Sequence, residues 1–96
     1  MHPADPITPG QRLALNRLIG QFADSRDMRL WLIGQLLQCE VESTARLAVG
    51  QWRSIRDRAY PRWSDDDWTV GDEFTQTAYG LARQYRRDVL GQLELF

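Results

Sequence analysis

From Met28 to Gln38 the chain offers almost no polar face, with Leu30, Trp31, Leu32, Ile33, Leu36 and Leu37 crowded into one short span. At helical pitch, a surface helix keeps its apolar residues on one stripe, so a helix that is apolar nearly all round must be surrounded by others. This segment is therefore the expected central helix, and the rest of the chain has to wrap it. Gly34, in its middle, predicts a close approach by a neighbouring helix.

The flanking segments supply the wrapping. Thr8-Pro9-Gly10-Gln11 is a strong helix start: Thr8 can cap, Pro9 suits the first helical position, and Gln11 completes a capping box. Leu15, Leu18, Ile19 and Phe22 follow at helical spacing, which predicts a first helix to about Ala23. Asp24-Ser25-Arg26-Asp27 breaks that pattern before the central helix. After a connection at 39–44, Ser43 and Thr44 are caps for a third helix bearing Ala45, Ala48, Val49, Trp52, Ile55 and Ala59 on one face, stopped by Pro61. Ser64 followed by Asp65, Asp66 and Asp67 suits a helix N-terminus, where free amides and the dipole favour negative charge. A short extra helical turn is expected near 64–69. Thr69 and Asp72 then cap a fourth helix from about Gly71, whose buried stripe is Phe74, Ala78, Leu81, Tyr85 and Val89, with Gly91 as its stop.

No alternating run of β-branched residues supports a sheet, and 96 residues suffice for one domain. The expected fold class is all-α, a single small domain resembling a four-helix bundle. Residues 1–7, with Pro3 and Pro6, are expected to form a flexible arm, 8–91 the helical domain, and 92–96 a separate terminal peptide.

Catalytic and metal chemistry find little material. His2 is the only histidine and Cys39 the only cysteine, so the usual nitrogen and sulfur ligands of a transition-metal site are lacking. Cys39 lies in an apolar stretch and is expected to be a buried thiol. The glycines are scattered rather than gathered into a phosphate loop. Asp65, Asp66 and Asp67 lack the glycine turn and distant glutamate of a calcium loop. No enzyme activity, catalytic residue, metal or cofactor is expected. No run nears the roughly 18 apolar residues of a membrane span, and the first residues lack the basic and apolar regions of a secretion signal. The expected location is cytoplasmic, with no membrane partner.

The formal net charge is only −1 and all twelve basic residues are arginine. Arg53, Arg56, Arg58 and Arg62, with Arg83, Arg86 and Arg87, form a candidate nucleic-acid-binding set if helices 3 and 4 are adjacent. The alternative is a solvated face paired with Asp57, Asp88 and the acids at 65–67. Trp63 and Trp68 flank the acidic run and form a candidate protein-binding surface.

The chain closes on Gln92-Leu93-Glu94-Leu95-Phe96. This pentapeptide resembles the short motif, commonly Gln-Leu-Ser/Asp-Leu-Phe, by which bacterial polymerases, mismatch-repair proteins and replication regulators dock on the DNA sliding clamp, the beta subunit of DNA polymerase III. Gln92, Leu93, Leu95 and Phe96 match position by position; Glu94 departs from Ser or Asp but keeps the acidic character. The resemblance implies that the bacterial sliding clamp is the partner and that the protein is a clamp-docking adaptor or inhibitor acting in replication or repair. Val89, Leu93 and Phe96 also continue the stripe of helix 4, so the same residues read alternatively as its last turn. In that case the Arg face would serve a small regulator of nucleic acid or of a partner protein. More faintly, residues 8–61 resemble small helical modules of phage and prophage recombination or replication proteins.

Overall fold

Thr8 and Gln11 begin the first helix with reciprocal hydrogen bonds: the Gln11 amide donates to Thr8 Oγ1 at 3.2 Å and the Thr8 amide to Gln11 Oε1 at 3.0 Å. In the computed structural model, which describes residues 2–62 and 68–91, this helix, α1, spans Pro9–Gly20. It stops short of Ala23 because the Gln21 and Phe22 amides turn back to Leu18 and Ile19 carbonyls. Phe22 and Ala23 are buried all the same. Ser25 then caps α2 (Arg26–Leu37), its hydroxyl accepting from the Met28 amide at 3.1 Å. The cap sits ahead of the first apolar residue, so the helix starts two residues earlier than periodicity alone suggests.

α2 ends with Gln38 in the left-handed region (φ 57°), and the Gln38 and Cys39 amides both turn back to the Gly34 carbonyl. The chain folds so tightly there that a Cβ on Gly34 would lie 2.7 Å from the Cys39 carbonyl oxygen. The close approach expected at Gly34 is thus made by the helix's own return segment and not by a neighbouring helix. The same reversal leaves Cys39 exposed rather than buried, because it carries the residue off the helix and away from the core.

Ser43 caps only a single 3₁₀ turn, Thr44–Arg46. Leu47 and Ala48 are extended, and α3 begins afresh at Val49–Ala59. The break has a cause forty residues away. Residues 2–7 do not form a loose arm: the Ile7 amide donates to the Leu47 carbonyl, while the Val49 and Gly50 amides donate to the Asp5 and Pro3 carbonyls, each at 2.9 Å. Those last two amides are orphan donors of the first turn of α3, and Ala48 has no side chain to satisfy them. The N-terminal segment caps the helix instead, and Ile7 is buried by doing so.

Pro61 follows the end of α3 as expected, with the Tyr60 amide closing the last turn on Arg56. The Gly71 amide donates to the Ala59 carbonyl at 2.8 Å, fixing the start of α4 (Asp72–Asp88) against the end of α3. Gly71, not Thr69, occupies the N-cap position, and as a glycine it has no side chain with which to cap the helix. Of the expected stripe, Phe74, Ala78 and Tyr85 are buried together with Ala82; Leu81 is half-buried and Val89 is 52% exposed. The stripe fails at Val89 because α4 has ended at Asp88. The short turn expected at 64–69 falls mostly outside the described residues, and Trp68 and Thr69 are not helical.

α2 packs against α1, α3 and α4 alike, as its composition requires. Around Met28, Leu32 and Ile33 gather Leu15, Leu18 and Ile19 from α1, Trp52 and Ile55 from α3, and Phe74, Ala78 and Tyr85 from α4. Burying each large side chain of this kind contributes about 1.5–3 kcal/mol before ordering costs. The fold is a small all-α domain whose four helices, among the described residues, share one core.

Candidate functional site

The pentapeptide Gln92–Phe96 lies outside the described residues, so its setting is defined by what precedes it. α4 stops at Asp88, Val89 and Leu90 are both about half exposed, and Gly91 takes φ 65°. A glycine at positive φ just beyond a helix is the usual device for turning the chain away from the axis. Neither Val89 nor Leu90 carries the buried stripe onward into the last five residues.

The seven arginines are drawn to different places. Arg56 pairs with its neighbour Asp57 at 3.0 Å, and Arg87 with its neighbour Asp88 at 2.9 Å. Arg58 Nη1 donates to the Leu36 carbonyl at 3.1 Å, covering an orphan acceptor in the last turn of α2. Arg86 pairs with Asp24 at 2.9 Å, just ahead of the first turn of the same helix. Arg58 and Arg86 are therefore held at opposite ends of α2, which at 1.5 Å per residue are roughly 18 Å apart. Arg53 is half-buried, while Arg62 and Arg83 are exposed. Surface ion pairs of this kind are individually worth no more than about 1 kcal/mol, so they position side chains more than they stabilise the fold.

Trp63 lies outside the described residues. Trp68 is 48% exposed and sets its ring edge against Tyr60, the centroids 5.1 Å apart. Trp52 is core, and Trp31 stacks at a tilt on Tyr85 at 5.4 Å. His2 closes a local turn, with Nδ1 accepting from the Ala4 amide at 3.0 Å and its own amide donating to Asp5 at 2.9 Å. Among the described residues no cluster of three His, Cys, Asp or Glu side chains has metal-binding geometry. No described helix is long and apolar enough to cross a membrane.

One feature escaped the reading of the sequence. The return segment after Gly34 and the outer face of α2 enclose an open groove of about 520 Å³, lined among others by Asp27, Leu30, Trp31, Glu40, Val41 and Glu42. Only the reversal at Gln38 brings residues 39–42 alongside residues 27–35, and no local pattern announces that. No protein-family model, curated protein or solved structure matches the chain.

Proposed function

We propose that this protein is a non-enzymatic, cytoplasmic binding protein that docks on the bacterial DNA sliding clamp through Gln92, Leu93, Glu94, Leu95 and Phe96. Its helical body would then block or recruit other clamp clients in replication or repair. The observation that carries the reading is the four-of-five match of the last residues to the clamp motif. The early end of α4, the exposure of Val89 and the left-handed Gly91 support it, because the helix ends before the motif and Val89, the first residue of the rival stripe, is not buried.

Leu95 and Phe96 enter an apolar pocket on this reading, and the Gln92 amide sets the register with hydrogen bonds. Two Leu and one Phe contribute about 1.5–3 kcal/mol each. Ordering a free pentapeptide consumes several kcal/mol, which leaves an affinity on the order of micromolar, about −8 kcal/mol. The test is titration of purified bacterial sliding clamp with the full chain and with a version ending at Gly91. The full chain is expected to bind with a Kd on the order of micromolar and the truncated one not at all. Equal binding by both, or by neither at tens of micromolar, would remove the assignment.

A further inference from the structure

The groove beside α2 combines two surfaces that a partner could read. Leu30 and Trp31 on the helix and Val41 on the return segment form half-buried apolar walls. The charged side chains lining it are all acidic: Asp27, Glu40 and Glu42. Asp27 and Glu40 hold no ion pair within the described residues. Glu42 meets Arg46 at 3.0 Å, but both side chains are 77% exposed, and such a pair exchanges partners at little cost.

The three carboxylates do not converge on a point, since they form no group able to hold a metal ion. Negative charges spaced along apolar walls match positive charges spaced around an apolar side chain. About 520 Å³ falls within the ~300–1,000 Å³ typical of ligand clefts. Trp31, whose ring also packs on Tyr85, adds an aromatic side chain to the lining, and cations favour aromatic rings.

We propose that this groove binds a basic peptide segment of a partner protein. An apolar side chain of the segment packs on Leu30 and Trp31, while flanking lysine or arginine side chains pair with Asp27 and Glu40. The proposal does not rest on the clamp reading and stands whether or not the clamp is the partner.

The test is fluorescence anisotropy of a fluorescein-labelled Lys-Lys-Leu-Leu-Lys-Lys peptide titrated with the full chain, alongside Glu-Glu-Leu-Leu-Glu-Glu and Lys-Lys-Ser-Ser-Lys-Lys controls. The basic leucine peptide is expected to bind, and the serine control about tenfold more weakly or worse. Glu40→Lys should weaken binding at least about fivefold. Glu40 is exposed and lies between helices, so the variant keeps its circular dichroism. Amide shift changes in ¹⁵N spectra should concentrate in 27–42. Binding of the acidic control, indifference to Glu40→Lys, or shifts centred elsewhere would overturn the proposal. Self-association abolished by Glu40→Lys, without peptide binding, would give the groove to a second copy of the chain and overturn it too.

Discussion

At Gly34 a missing methyl group lets the chain reverse. Glycine inside a helix costs about 1 kcal/mol relative to alanine, so propensity alone favours Gly34→Ala. The added Cβ, however, would stand 2.7 Å from a backbone oxygen that cannot swing aside. Gly34→Ala is expected to lower stability by about 1–3 kcal/mol, measured by urea unfolding; a stabilised variant would mean that the return segment shifts freely. Tyr60 offers a second single-residue test. Burial raises the pKa of its hydroxyl above the ordinary 10.0. Its unfolded form loses the proton first as pH rises, so ν_U falls below ν_N and stability falls with pH. This contribution is complete below pH 10 and is lost as pH climbs from there through the folded value. Tyr60→Phe should flatten that alkaline limb in thermal melts at pH 9–12 while changing little at pH 7.

At the scale of elements, the N-terminal segment behaves as the cap of α3. Removing residues 1–5 would take away the Pro3 and Asp5 carbonyls and leave the Val49 and Gly50 amides without acceptors. Each lost bond with its desolvated donor costs about 1–3 kcal/mol if water cannot reach it. The truncated chain is expected to melt lower and to exchange the Val49 and Gly50 amide hydrogens markedly faster, read by ¹⁵N-resolved exchange. Unchanged exchange at both amides would show that solvent replaces the cap. The C-terminal end of α2 is served in a similar non-local way by Arg58, while the first turn of α4 carries Asp72 and Glu73 where the helix dipole favours acids.

For the whole molecule, every buried core residue among those described lies between Ile7 and Tyr85. The chain ending at Gly91 is therefore expected to keep its melting temperature, measured by differential scanning calorimetry on the same sample used for clamp titration. A fall of more than about 4 °C, equivalent to roughly 1 kcal/mol, would place Leu93 or Phe96 in the core and restore the helical reading of the terminus. The two binding proposals rest on different stretches of the chain: residues 92–96 for the clamp, and residues 27–42 for the groove beside α2.

Much of the architecture was legible because its determinants act within three or four residues. Thr8 with Gln11, Ser25 with Met28 and Pro61 after α3 are local hydrogen bonds and steric stops, and they lie in the sequence where they lie in the fold. The apolar run of α2 required a central helix, and a central helix is what forms. The resemblance of Gln92–Phe96 to the clamp motif, on which the proposed function rests, is local in the same way, since it consists of five adjacent side chains. What the tertiary structure alone decided involves partners far apart in the chain. The N-terminal segment closes on α3, the reversal at Gln38 turns Cys39 outward, and the groove joins residues 27–35 to 39–42. Backbone donors and acceptors look the same at every position in a sequence. Which of them meet is settled only when the apolar side chains have chosen their common core.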